Sequence, residues 1–196
     1  MQRKLVGALF PIFGLMLWAG AVAATSVGTV IGVSGSYTDR GRVLNHGDAV
    51  QIGDTLVVPA GGNLKLRMAD DSVISVASGS RMTVASYGGA GSGRAAKLML
   101  TEGLLRVTSV TRPFEVSTAV GTASVDSDSA DWFIKAEAGS AQVAVLTGIV
   151  DLTNSLTGAS ASIPARWGTR VEAGRAPMPP RVWNQMEFNG FIRVTE

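Results

Sequence analysis

Few side chains in this sequence are of the types that carry out catalysis. The chain of 196 residues has one histidine, His46, and no cysteine. A serine hydrolase needs a base beside its nucleophile, a zinc site needs three or four Cys or His ligands, and no G-x-S-x-G motif is present. His46 lies in a turn-like segment and is expected to be solvated. The sequence therefore predicts a protein that is not an enzyme and has no cofactor.

Three aspartates form the best cluster of possible metal ligands. Asp126, Asp128 and Asp131 alternate with serines, and carboxylates in this arrangement could bind a hard cation such as Ca²⁺. The EF-hand pattern fails, because Ala130 and Asp131 occupy the places of its third ligand and its glycine. We interpret the segment as a solvated turn and predict no metal site, with the three aspartates as the candidate ligands if one exists.

The charge balance and a glycine-rich segment both argue against phosphate binding. The chain has 17 Lys and Arg against 15 Asp and Glu, and Arg3 and Lys4 near the N-terminus account for the excess. No basic surface is therefore predicted that could bind a phosphate backbone. Residues 88–93 are rich in glycine but are not followed by the Lys-Ser/Thr of a phosphate loop. We expect no nucleic acid partner.

The elements that must position any site are short strands joined by tight turns. Between residues 47 and 84, apolar residues alternate with polar ones, as at Leu64, Leu66 and Met68. Gly, Asp and Ser between these runs favour tight turns. Strand patterns continue to residue 171, with a further turn predicted at Glu102-Gly103. The predicted structural turn residues of the first stretch are Gly47, Asp48, Gly53, Asp54, Asp70, Asp71 and Ser72.

This pattern predicts an all-β fold. Strands of roughly 4–7 residues recur at spacings near 8–12, and no helical period follows residue 24. Short rungs with small inward residues favour a β-solenoid-like arrangement, and a twisted β-sandwich is the alternative. We expect one such domain over residues 25–181, after an N-terminal signal helix. A tail, residues 182–196, either docks on the domain or stays mobile.

The turns and strands resemble the FecR domain, a periplasmic module first associated with iron-dicitrate signalling. The family reads as two Gly-Asp turns, an alternating strand, an Asp-Gly-Ser turn and, later, a Pro-Phe-x-Val-x-Thr strand. Asp71 stands in the glycine place, and the segment around Asp126 departs from the family pattern. The resemblance implies an all-β, solenoid-like domain. It is carried by Gly47-Asp48, Gly53-Asp54-Thr55-Leu56, Asp70-Asp71-Ser72 and Pro113-Phe114-Glu115-Val116-Ser117-Thr118.

The first 24 residues have the pattern of a secretory signal peptide. A basic start precedes an apolar run, and Ala21-Val22-Ala23 is an A-x-A cleavage site. The run over residues 5–24 is also about long enough to span a bilayer, since a spanning helix needs ~20 residues. We expect cleavage and a periplasmic location. An uncleaved anchor that holds the protein on the inner membrane, facing the periplasm, is the alternative.

Aromatic side chains near the C-terminus offer one possible docking surface. Trp167, Trp183, Phe188 and Phe191 could bind a partner, because aromatic residues dominate interface hot spots. Alternatively they cap the last rung of the stack, as any open stack requires. The pattern favours capping.

The resemblance leads to an expected function. Signalling proteins of this family carry a cytoplasmic anti-sigma segment before the domain, and here only four residues precede the apolar run. We therefore expect an exported, non-catalytic interaction or signalling module of the bacterial cell envelope without its own anti-sigma segment. Its expected partner is an envelope protein, or a glycan. The alternatives are a membrane-anchored envelope scaffold and a glycan- or metal-binding protein.

Overall fold

The computed structural model describes residues 26–88, 95–110, 113–126 and 129–196. Residues 1–24, Asp128 and most of the glycine-rich segment at 88–93 therefore lie outside the described residues. The elements are β1 (Ser26–Ser34), β2 (Tyr37–Thr38), β3 (Ala49–Gln51), β4 (Thr55–Val58), β5 (Asn63–Met68), β6 (Val73–Val76), β7 (Ser80–Ser86), β8 (Ala96–Ser109), β9 (Phe114–Ser117), β10 (Gly121–Val125), β11 (Ala130–Glu137), β12 (Ser140–Thr147), β13 (Ile149–Asn154), β14 (Ser160–Pro164), β15 (Trp167–Glu172), β16 (Arg181–Val182) and α1 (Gln185–Thr195).

The strands form two layers. Layer A has the order β3-β1-β5-β6-β8-β11-β12-β15-β16, and layer B has the order β2-β4-β7-β8-β9-β10-β13-β14. Among the described strands only β8 and β9 pair in parallel. The predicted all-β fold is confirmed. Strands join each layer nearly in chain order, as in a solenoid, while their antiparallel pairing in two layers is that of the sandwich alternative.

Strand β8 belongs to both layers. Its first half pairs with β7 and β9 in layer B, and its second half pairs with β6 and β11 in layer A. The strand passes from one layer to the other at Gly103, which has a φ of +95°. Ser80 fixes this point, because its Oγ accepts a hydrogen bond of 3.0 Å from the Leu104 N–H. The turn predicted at Glu102-Gly103 is therefore wrong: a positive φ bends one continuous strand here.

The main core fills the space between the two layers. It consists of the inward side chains of both layers, among them Leu66 and Trp132 from layer A and Met82, Leu100 and Phe114 from layer B. Burial of each large apolar side chain of this kind stabilises the fold by roughly 1.5–3 kcal/mol. The period-2 alternation in the sequence is the cause, since it places one apolar face of most strands toward the other layer.

The helix α1 was not predicted, and the expectation of no helix after residue 24 is wrong. Asn184 caps it: its Oδ1 accepts from the Glu187 N–H at 3.0 Å, and the Glu187 Oε2 accepts from the Asn184 N–H at 2.8 Å. This is a capping box, which fixes the start of a helix. Within the described part of the chain, no helix is long and apolar enough to cross a membrane.

Candidate interaction surface

The two Gly-Asp turns use their carboxylates to hold their own backbone. Gly47 and Gly53 have φ values of +90° and +88°, a region that glycine adopts without steric cost. The Asp48 carboxylate accepts from the Asn45 N–H and the Asp54 carboxylate accepts from the Gln51 N–H, each at 3.0 Å. These aspartates therefore shape the turns.

The Asp-Asp-Ser turn is anchored by a buried carboxylate. Asp70 accepts hydrogen bonds from the Ser72 N–H and the Ser72 hydroxyl, both at 3.0 Å. It also accepts a bond of 2.5 Å from the Tyr87 hydroxyl. Burial, followed by the contact with Asp70, raises the pKa of Tyr87 well above its usual 10. Asp71 has a φ of +65°, in the place where the family has glycine.

Sequence reasoning missed Tyr87 as the partner of this turn. The tyrosine lies 17 positions after Asp70, and no local pattern connects the two residues. The sequence held only one indication of a buried partner, which was an aspartate in a predicted turn beside two buried strands. A carboxylate in such surroundings needs hydrogen-bond donors.

The aspartates considered as metal ligands have other partners. Asp131 forms a two-pronged ion pair with Arg106, with N–O distances of 2.9 and 2.8 Å, and this hydrogen bonding raises the pKa of Arg106. Asp126 is exposed, and Asp128 is not among the described residues. In the described ranges, no three His, Cys, Asp or Glu side chains converge as metal ligands would. His46 is exposed on its turn.

The C-terminal aromatics attach α1 to the outer face of layer A. Trp183, Phe188 and Phe191 form one cluster with Phe133 of β11, and ring centroids lie 5.3 Å apart for Trp183–Phe191 and 5.6 Å apart for Phe133–Phe191. Trp183 and Phe188 are buried. Trp167, in contrast, packs against the main core.

This packing separates the four aromatics: Trp183 and Phe188 are buried, and Phe191 is only partly buried. Trp183 and Phe188 are not available as a docking edge, because α1 and layer A already cover them. Trp183 also packs on Gly168 of β15, one of the last strands of layer A. The apolar cluster lies on the outward side chains of β8, β11 and β12 near the middle of layer A. The tail, which was expected either to dock or to stay mobile, is docked.

A concave surface runs beside α1, and we call it the α1 groove. It has a volume of about 400 Å³. Its apolar wall continues the aromatic cluster, and Val194 on its helical side is 50% exposed. The α1 groove is lined chiefly by Ala77, Leu104, Lys135, Gly190, Phe191 and Val194. An apolar groove of this size can accept side chains of another molecule.

Ion pairs form the rims of the α1 groove. Lys135 pairs with Glu137 at 2.5 Å on the layer side. Glu187 pairs with Arg181 at 2.6 Å on the helix side. The Arg181 hydrogen bond, together with the Asn184 N–H, lowers the pKa of Glu187. An apolar centre with a charged, solvated rim is the usual anatomy of a protein–protein interface.

The comparison with protein families decides which family this is. The model of the FecR protein family matches residues 54–151, which is half of the chain. The chain belongs to the FecR family. The matched segment of the FecR domain contains the Asp-Asp-Ser turn and the whole of β8, and it ends before α1. The α1 groove therefore combines residues of the family segment with residues that follow it.

Solved structures show the same fold. Two crystal structures of a proposed anti-sigma factor from Parabacteroides distasonis ATCC 8503, at 2.50 and 1.65 Å resolution, match with a TM-score of 0.56. Their identities to the FecR chain are 16% and 18%, and 70% of the chain is covered. The chain spans only 63% and 64% of the length of those structures. No curated protein matches the chain.

Proposed function

We propose that this FecR domain is a non-catalytic protein-interaction module with a signalling role in the bacterial cell envelope. The observation that carries the proposal is the FecR match over residues 54–151. The structural neighbours, each named as a proposed anti-sigma factor, support a regulatory role. The α1 groove is the surface on which the partner protein docks.

The surroundings of the polar side chains support a non-catalytic role. Asp70 and Tyr87 are bound to each other inside a structural turn, and Asp131 is paired with Arg106. A nucleophile or general base needs a free functional group within hydrogen-bond reach of a substrate. The hydrogen bonds and ion pairs of these titratable groups stabilise the fold.

A protein partner fits the chemistry of the α1 groove. Its apolar lining gives a binding energy that grows with the area removed from water, and its charged rims select the orientation of the partner. An apolar segment with flanking charges, inserted between α1 and β8, would bury Val194 and Phe191 further. The partner is an envelope protein if the chain is exported.

Site-specific substitution tests the docking surface. Val194→Glu places a charge in the groove and is expected to lower recovery of the crosslinked envelope partner at least about tenfold, since an unpaired charge is expensive to bury. Ile149→Glu is the matched control, because Ile149 is 52% exposed on layer B while Val194 is 50% exposed. Equal recovery with both variants would contradict docking in the α1 groove.

The cellular location needs a separate measurement. We propose that residues 1–24 direct export and are removed, which leaves a periplasmic protein. Protein recovered from envelope fractions should then have the intact mass of a chain that begins near Ala24 or Thr25. A full-length mass in the membrane fraction would instead support the anchored scaffold. Cleaved protein that crosslinks to no envelope protein would count against the interaction function itself.

A further inference from the structure

A second, polar cavity lies at the Gly-Asp turns, far along the strand order from α1. It has a volume of about 390 Å³. It is formed where β2, the turn after it, β3 and the second Gly-Asp turn meet. We call it the arginine basin, and it is lined by Thr38, Arg40, Arg42, Ala49, Gln51 and Asp54. Its volume lies within the usual range for small-ligand sites, ~300–1,000 Å³.

Arg42 is held in place at one side of the basin. Its guanidinium lies 3.4 Å from the Asp48 carboxylate and 3.7 Å from the Asp54 carboxylate. Both aspartates are themselves fixed by backbone N–H groups, those of Asn45 and Gln51. The positive charge of Arg42 is therefore shared by two anchored carboxylates, and this side of the basin is preorganised and keeps one net negative charge.

Arg40 gives the basin a positive charge that is not held in an ion pair among the described residues. Its side chain is exposed, and within the described part of the chain it makes no ion pair or hydrogen bond. The guanidinium has five N–H donors in a fixed fork that matches a carboxylate with two parallel bonds. An anionic group that enters the basin meets Arg40 without first displacing another partner.

The remaining lining suits hydroxyl groups. Asp54 uses only its Oδ2 in the contacts with Gln51 and Arg42, which leaves Oδ1 to accept from a ligand. The amide of Gln51 can donate and accept, and the Thr38 hydroxyl, which accepts from the Arg42 N–H at 3.2 Å, still has a proton to donate. Among the described residues of the lining, Ala49 is the one that is apolar, so the basin favours a polar ligand.

We infer that the arginine basin binds a hexuronic acid unit of an acidic polysaccharide. Such a unit carries one carboxylate and several neighbouring hydroxyls on a single ring. The carboxylate pairs with Arg40, and the hydroxyls hydrogen-bond Asp54 and Gln51. Inorganic phosphate would pair with Arg40 but has no ring hydroxyls to offer to Asp54 and Gln51, and a neutral sugar would leave Arg40 unpaired.

Calorimetric titration with a galacturonic acid trimer tests this site. The protein is purified from cells in the processed form that they produce. Wild-type protein should bind the trimer, and Arg40→Gln should weaken binding at least about tenfold, with little change in thermal stability because Arg40 is exposed. Arg193→Gln is the matched control. It removes an exposed arginine of α1 that has no ion pair in the described ranges, and it should bind the trimer as wild type does.

The comparison ligands separate the possible sources of affinity. A galactose trimer and inorganic phosphate should each bind at least about tenfold more weakly than the galacturonic acid trimer. The inference is overturned if the acidic trimer does not bind, if Arg40→Gln binds it unchanged, or if either comparison ligand binds as tightly. Val194→Glu should leave this affinity intact, so failure of the basin is distinguishable from failure of the α1 groove.

Discussion

A single buried carboxylate shows how residue-scale chemistry fixes this fold. Asp70 is 7% exposed, and removal of a charge from water is costly unless hydrogen bonds compensate it. Ser72 and Tyr87 supply those bonds, and the Ser72 hydroxyl in turn accepts from the Val110 N–H at 3.2 Å. One turn thereby connects β6, β7 and the end of β8.

Removal of one donor should be measurable. Tyr87→Phe deletes the hydroxyl that bonds Asp70, and a hydrogen bond to a charged group contributes about 1.5–3 kcal/mol. We expect a loss of about 2 kcal/mol in the free energy of unfolding in urea. Tyr37→Phe is the control, because Tyr37 is 37% exposed and its hydroxyl bonds nothing in the described part of the chain. An equal effect of both substitutions would refute the assignment.

The same tyrosine predicts a pH dependence. The pKa of Tyr87 is raised from 10 in the folded protein, so above pH 10 the unfolded chain releases this proton while the folded chain keeps it. Stability from this group is complete below pH 10 and is lost as the pH rises above it. The free energy of unfolding should fall more steeply between pH 10 and 11.5 for wild type than for Tyr87→Phe. Parallel curves would contradict this.

At the scale of elements, α1 was recognisable from the sequence although it was not recognised. Asn184 and Glu187 have the spacing of a capping box. Apolar positions at Phe188, Phe191 and Ile192 follow the helical i, i+3, i+4 spacing. The helix has only eleven residues and follows a proline-rich segment.

Strand β8 was not recognisable in the same way. Leu98 and Leu100 alternate correctly, and so do Leu105 and Val107, but a Glu-Gly pair between two strand patterns usually marks a turn. The continuous path depends on Ser80, 24 positions away from Leu104. A Cβ at Gly103 would overlap the Ser80 side chain. This constraint is tertiary and leaves no local signature.

Replacement of Gly190 and of Gly168 by alanine should change the stability of α1 in opposite directions. A Cβ at Gly190 would meet nothing within 4 Å, so Gly190→Ala should stabilise α1 by up to about 1 kcal/mol through helix propensity. A Cβ at Gly168 would overlap the ring of Trp183, so Gly168→Ala should loosen α1. Hydrogen exchange of the α1 amides measures both effects. Slower exchange in Gly168→Ala would contradict the packing described here.

At the scale of the whole molecule, the sequence predicted the fold class but not the distribution of strands between the layers. Alternation identified each buried face, because side chains of a strand point to opposite sides. It could not show that β13 and β14 join layer B while β12 and β15 join layer A. That choice depends on pairings distant in sequence. The candidate site was less predictable still, since the α1 groove combines residues from the middle of the domain with residues of α1.

Because β8 is shared, the two layers should unfold together. Neither layer can lose β8 without removing a central strand from the other. Hydrogen exchange of β10 in layer B and of β12 in layer A should therefore report the same free energy of opening. A difference above about 1 kcal/mol would show that the layers are separate cooperative units.

The order of strands has a consequence for how the molecule can be built. From β3 onward, every strand pairs with at least one strand that precedes it in the chain. A chain delivered with its N-terminus first can therefore assemble as it arrives, without waiting for distant partners. The final piece, α1, returns to the middle of layer A and covers Phe133 and Leu104. A chain truncated before α1 would leave this apolar patch exposed. Chaperones and proteases would then recognise the chain as incompletely folded.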